Sequence, residues 1–174
     1  MVSCQDQKFS KEYTMNYQLR PFNNSDINDL LQITLLAFEP VLISFKKILG
    51  PEIYPIVYPD WHKSQREWVE QLCNNEKTTV LVAEVDGAIA GFLVYELYAK
   101  DMTGEIQFLA VHPAYQNQGI GTALNAVALQ KMKESGMKLA VVNTGGDESH
   151  APARRTYEKA GYTALPLTKY YKDL

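Results

Sequence analysis

Gly119 and Gly121 stand where an apolar strand passes through a turn into a helix, inside the run from Gly104 to Gly136. The amides at a helix start have no partners within the helix and share the positive end of its dipole, so an anion lying there meets several donors at once. Glycine at such a turn lets the chain bend sharply and lets phosphate oxygens approach the amides of Gln116, Asn117, Gln118, Gly119, Ile120, Gly121 and Thr122. The chemistry on offer is phosphate holding, and two common versions of it are excluded. A dinucleotide fingerprint needs a third glycine where Leu124 stands, and the chain has no Gly-Lys-Ser/Thr triplet of a P-loop nucleotidase. Further along, Tyr157 offers a phenol that stays protonated at neutral pH, or else a core aromatic. Asn143, before Thr144-Gly145-Gly146, is either a ligand amide or a residue that turns the chain. His150 stands at a helix start, where Ser149 reads as the cap and Pro152 suits the first turn. With His62 and His112 it shows neither metal-ligand spacing nor a Ser-His-Asp nucleophile arrangement.

The elements that must position these groups follow from periodicity. Ile106, Phe108, Ala110 and Val111 make a short strand ended by His112-Pro113; Ile120, Ala123, Leu124 and Val127 recur at helical steps. Upstream the pattern predicts a strand over Tyr17 to Arg20 and a helix from Ser25-Asp26 to about Phe38. A short helix is expected over Val41 to Leu49, broken by Gly50-Pro51 and followed by a tyrosine-rich loop punctuated by Pro55 and Pro59. A helix from Trp61 to about Cys73 comes next, then Val80–Val85 and Ile89–Tyr95 flanking Asp86-Gly87, a two-residue hairpin signal. Two more strands and two helices, with a closing strand, complete a mixed α/β order with helices on both sides of a sheet. The strand-helix-strand unit from Glu105 to Asn143 predicts two parallel neighbours joined by a right-handed crossover.

A chain of 174 residues with 46% hydrophobic and 21% charged residues suits a single domain, read here as residues 15–174 after a polar arm over residues 1–14. Net charge of -3 and a pI near 5.6 argue against a general nucleic-acid surface. Cys4 and Cys73 match no zinc spacing and read as two reduced thiols. The segment to Thr14 has no apolar core of signal-peptide length, and no later run is long enough to span a membrane, so a cytoplasmic protein is expected.

Gln116-Asn117-Gln118-Gly119-Ile120-Gly121, preceded by Glu105 to Val111, resembles the acyl-CoA pyrophosphate loop of the GNAT superfamily of N-acetyltransferases. Lys138 to Asn143, then Ala153 to Tyr162, is similar to that family's later strand, the helix carrying its tyrosine and its closing Gly-aromatic step. The resemblance implies a mixed, mostly antiparallel central sheet with helices on both faces and two splayed parallel strands at the acyl-CoA site. It implies acetyl-CoA as donor co-substrate, without a metal, its diphosphate on the loop amides and its pantetheine along the backbone of Leu109, Ala110 and Val111, near Asn143. Tyr157 becomes the acid for the departing thiolate and Glu105 a candidate base. Acceptor specificity is expected from Phe38 to Trp61 and from Leu165 to Tyr171, with Phe38, Tyr58 and His150 as candidate contacts. The expected reaction is acetylation of a primary amine of a small or amino-acid-like acceptor by direct attack, in a protein that forms a homodimer. A protein or peptide N-terminus, a lysine side chain, an aminoglycoside-like antibiotic, a non-catalytic acyl-CoA sensor and an interaction surface are the alternatives.

Overall fold

The computed structural model describes residues 16–174; the arm expected over residues 1–14, and Cys4 with it, lie outside the described residues. Strand β1 (Tyr17–Pro21) leads through a 3-10 turn (Asn24–Asp26) into α1 (Ile27–Val57), and α2 (Trp61–Asn74) follows. Strands β2 (Thr78–Val85) and β3 (Ala88–Tyr98) form the hairpin expected around Asp86-Gly87. Then come β4 (Thr103–Val111), α3 (Ile120–Glu134), β5 (Leu139–Val142) and α4 (Ala151–Lys159). The sheet runs β1-β2-β3-β4-β5, antiparallel except for the parallel pair of β4 and β5.

Two cores sandwich this sheet. Leu30, Leu31 and Ile33 of α1 and Val69 and Leu72 of α2 pack on Val80, Val82, Phe92, Val94, Phe108 and Ala110. On the opposite face, Ile120, Leu124, Ala128 and Met132, the apolar stripe of α3, cover Leu81, Ala83, Leu93, Tyr95 and Ile106.

Three expectations change. The helix expected to stop near Phe38 continues through Pro40, and the supposed tyrosine-rich loop is helical over residues 51–57. Gly50 does break the helix, at φ 72° and ψ 179°; Pro51 then opens the next turns, where a missing amide proton costs least. The closing strand is absent: among the described residues no strand follows α4, and Leu165 and Leu167 of the C-terminal segment are each 80% exposed. No helix among the described residues is long and apolar enough to cross a membrane.

The two ends of β4 differ. Thr103, Gly104, Glu105 and Ile106 pair with Leu139, Ala140, Val141 and Val142, and there the pairing with β5 stops. At the same place the register with β3 slips: Tyr95 faces Ile106 but Val94 faces Phe108, leaving Gln107 as the extra residue of a bulge. A bulge bends its strand and raises the local twist, so β4 swings away from β5 as the resemblance implied. It also exchanges the faces. Ile106 packs under α3, whereas Phe108 and Ala110 pack under α1 and α2.

Candidate functional site

Where β4 and β5 part, a cleft of about 740 Å³ opens. Its walls are the β4 end, the loop into α3, the end of β5, the first turns of α4 and the middle of α1. Of the sequence-derived candidates, Leu109, Ala110, Val111, Gln116, Asn117, Gly119, Ile120, Gly121, Thr122, Asn143, Phe38, His150 and Tyr157 line it together. Gln118, Glu105 and Tyr58 stand outside the lining.

Register decides which main-chain groups of β4 face the cleft. His112 N–H donates to Ala90 C=O at 2.8 Å on the β3 side. By the two-residue alternation of an antiparallel ladder, Phe108 and Ala110 also bond toward β3, and the amides and carbonyls of Leu109 and Val111 turn to the open edge. Val111 C=O already accepts from Gln116 Nε2 at 3.0 Å, so this side chain holds the loop against the strand. Gln118 Nε2 does similar work, donating to Ala114 C=O at 3.0 Å.

The turn into α3 runs through Asn117 at φ 61° and Gly119 at φ 83°, the left-handed region that the glycine makes easy. The first bond of the helix is Ala123 N–H to Gly119 C=O, 2.9 Å. The amides of Ile120, Gly121 and Thr122 precede it and are left for a ligand or solvent. On the facing wall Arg155 and Lys159 of α4 bring positive charge to the cleft, a contribution that sequence reading missed. The spacing was available: Arg155 and Lys159 stand four residues apart and so share one side of α4.

Tyr157 is only 7% exposed and meets the Tyr162 ring edge-on, centroids 5.6 Å apart. Burial, with Tyr162 adding, pushes its phenol up to about 12, so it is a proton donor at neutral pH. Asn143, just past β5, donates from Nδ2 to Glu105 Oε1 at 3.1 Å, tying together the two strands where they diverge.

His150 lies beside a residue that sequence reading did not single out. Its Nδ1 is 2.6 Å from Asp147 Oδ1. Asp147 Oδ2 accepts from Ser44 Oγ of α1 at 2.8 Å and from both the amide and the hydroxyl of Ser149. Asp147, not Ser149, therefore caps this turn. Burial would raise the Asp147 carboxyl, but the hydrogen bonds from Ser149, Ser44 and His150 outweigh it and hold it down at about 2. The other histidines have structural duties: His112 Nδ1 accepts from Ala114 N–H, and His62 stacks on Trp61 at 3.8 Å. Among the described residues no group of His, Cys, Asp and Glu is placed to hold a metal.

Residues 46–162 match the Acetyltransferase (GNAT) family. The chain belongs to that family. Among GNAT relatives, the mycothiol acetyltransferase of Thermomonospora curvata is 30% identical over 94 residues, 54% of this chain but 31% of that protein. The chain thus spans about a third of the length of that larger relative. An N-alpha-acetyltransferase of Sulfurisphaera tokodaii is 26% identical over 165 residues, 89% of this chain and 85% of its own. In structure, the PaiA N-acetyltransferase of Thermoplasma acidophilum, solved with coenzyme A, superimposes with a TM-score of 0.68 at 18% identity, covering 88% of this chain and 94% of that one.

Proposed function

We propose that residues 15–174 form one catalytic domain that transfers an acetyl group from acetyl-CoA to a primary amine of a small or amino-acid-like acceptor, by direct attack in a ternary complex. One observation carries the reading: a single cleft joins the open edge of β4, the unpaired amides at the start of α3 and the buried phenol of Tyr157. The residues fit the donor. The amides of Ile120, Gly121 and Thr122, backed by Arg155 and Lys159, suit a diphosphate, and the outward main chain of Leu109 and Val111 suits the amides of a pantetheine arm. Tyr157 hands its proton to the sulfur as the carbon–sulfur bond breaks. The position of Asn143 at the divergence of β4 and β5 supports a contact with the same arm, and the Phe38 ring lines the acceptor side.

A protein N-terminus is the second acceptor, favoured by the likeness to the N-alpha-acetyltransferase along most of this chain. The expected setting is cytoplasmic, in keeping with the half-buried free thiol of Cys73, whose acidity burial weakens to about 11. A homodimer remains part of the proposal, supported by the exposed leucines of the C-terminal segment.

The test is thermal unfolding with and without acetyl-CoA, followed by thiol release with tyramine, an aminoglycoside and an alanyl peptide. Ligand at about a hundred times its dissociation constant stabilises the fold by roughly 2.7 kcal/mol. Tyr157→Phe should bind acetyl-CoA normally and release thiol roughly 10²-fold more slowly. No stabilisation of the wild type by acetyl-CoA would sink the reading; unchanged turnover in Tyr157→Phe would remove the acid role alone.

A further inference from the structure

We infer that Asp147 and His150 form a carboxylate–imidazole pair whose free nitrogen, His150 Nε2, takes the proton from the attacking amine. The inference rests on the amine-acetylating reading above and adds the base that reading lacks. Glu105, which the resemblance offers for this role, stands outside the cleft lining with its carboxylate held by Asn143.

Four features of the pair go beyond what capping a turn requires. First, the contact of 2.6 Å between Asp147 Oδ1 and His150 Nδ1 places the ring proton on Nδ1, because an ionised carboxylate only accepts. The lone pair is then on Nε2, which no protein group engages among the described residues, on a side chain that lines the cleft. Second, the carboxylate is itself oriented from two directions, by Ser44 on α1 and by Ser149. Third, Arg154 locks the loop by donating from Nη1 to Gly145 C=O at 2.8 Å and to Asp147 C=O at 2.6 Å, while the Phe45 ring stacks on the imidazole at 5.7 Å. The loop passes so close that a Cβ on Gly145 would overlap the imidazole and lie 2.8 Å from Asp147 Oδ1. Only a residue without a side chain leaves room for the pair.

The fourth feature is its placement relative to the acid. His150, the residue just before α4, precedes Tyr157 by seven residues, a rise of about 10 Å at 1.5 Å per residue. Aromatic side chains on a helix lean toward its N-terminus, so the phenol reaches back toward the imidazole. Both side chains line the same cleft. Nε2 takes the first proton from the ammonium nitrogen, which is then free to form its bond to the acetyl carbon; the electron pair of the broken carbon–sulfur bond leaves with sulfur, which takes the Tyr157 proton, and the second nitrogen proton passes to the phenolate. The imidazolium releases its proton to solvent, so the protein ends each cycle unchanged.

The groups that surround this imidazole are known element by element. Its own loop presents Asp147, with Arg154 bonded behind it. From α1 it meets the uncharged Ser44–Phe45 wall with the Tyr58 ring stacked beyond. Along the cleft α4 adds Arg155 and Tyr157, and Glu105 lies at the β4–β5 end beside Asn143.

Nitrogen-15 spectra of histidine-labelled protein give the first test, because they need no acceptor. The expected result is an Nδ1–H tautomer at neutral pH for the ring whose signals vanish in His150→Gln; an Nε2–H tautomer would overturn the proposal. The second test is thiol release from acetyl-CoA with two probe amines: tyramine, an ammonium ion at neutral pH, and hydroxylamine, mostly free base. His150→Gln should slow the tyramine reaction roughly 10²- to 10³-fold, abolish the acidic limb of the rate profile and slow the hydroxylamine reaction much less. A retained acidic limb, or equal losses with both amines in a variant that melts like wild type, would assign His150 a structural role only. Failure of acetyl-CoA to stabilise the wild type would instead defeat the acetyl-transfer reading and leave the tautomer result standing.

Discussion

Asp26 and Asp147 begin alike. Each is a largely buried carboxylate that accepts several hydrogen bonds, and each is held below its ordinary value of 3.8. Asp26 receives Arg20 Nη1 at 2.7 Å, Arg20 Nη2 at 3.0 Å and the amide of Asn23 at 2.8 Å, while Arg20 Nε reaches Glu84 at 2.8 Å. That network joins β1, β2 and the start of α1, and its cation never titrates in the working range. Asp147 instead receives two serine hydroxyls, an amide and an imidazole with one nitrogen to spare at a cleft. The difference lies in the partner: a permanently charged fork uses the carboxylate to fasten elements, whereas a titratable ring uses it to set which nitrogen carries the proton. Carboxylate burial and acidity are therefore poor markers of function here, and a partner with an unspent donor or acceptor facing a cavity is a better one.

The sharpest way to break the comparison is Asp26→Ala. It leaves the Arg20 guanidinium without its bidentate partner in a site where Asp26 is 7% exposed. The expected loss is about 3 kcal/mol, or roughly 6–12 °C in melting temperature for a chain of this size, with the acidic limb of turnover unchanged. The sign of the pH effect is set by a lowered carboxylate. Its contribution is complete above the unfolded value near 3.8 and is lost as pH falls toward the native value, so the wild type should lose more stability below pH 4 than the variant does. A variant that melts like wild type would show that the network fastens nothing.

Asp147→Asn comes next. The amide keeps bonds to Ser44 and Ser149, so the melting temperature should fall by much less than in Asp26→Ala, but an amide no longer compels the imidazole proton onto Nδ1. Turnover with tyramine should fall roughly 10- to 100-fold, with a displaced acidic limb. Loss of stability without a kinetic change would make the two carboxylates equivalent and the comparison empty.

Much of this was legible in the chain, for physical reasons that also explain what was not. The Asp86-Gly87 turn, the apolar stripe of α3 and the glycine loop are local patterns whose stereochemistry has few solutions, and each appeared where expected. The bulge at Gln107 left no mark. The run Gly104 to Val111 alternates cleanly, and only pairing with β3 reveals that Ile106 and Phe108 lie on opposite faces. The helix runs on past Phe38 through Pro40, although a proline there costs one hydrogen bond and a clash, about 3 kcal/mol, which burial of Val41 and Leu42 beside it helps offset. The closing strand failed differently: Leu165 and Leu167 have strand-like spacing but meet no covering face in the described chain. As for Asp147, an acidic residue three before a histidine at a helix start is ordinary capping sequence. Its meaning depends on Ser44, 103 positions earlier, and on a cleft wall that no local pattern announces.

Ser44→Ala is the mildest change and the most discriminating. It removes the one bond from α1 to the Asp147 carboxylate and leaves Ser149, Arg154 and the Phe45 stack in place. A single hydrogen bond to a carboxylate contributes about 1.5–3 kcal/mol net. Its loss moves the Asp147 carboxyl up from about 2 toward its ordinary value, because that bond is among those overcoming burial. The variant should therefore lose acid stability at a higher pH than wild type, while turnover at neutral pH, where Asp147 stays ionised, falls only about threefold. Circular dichroism from pH 5 to pH 2 reads the first effect and thiol release at pH 7.5 the second. A neutral-pH loss as large as that of Asp147→Asn would mean that α1 positions the imidazole directly, and that the carboxylate acts only as the fastening that Asp26 is.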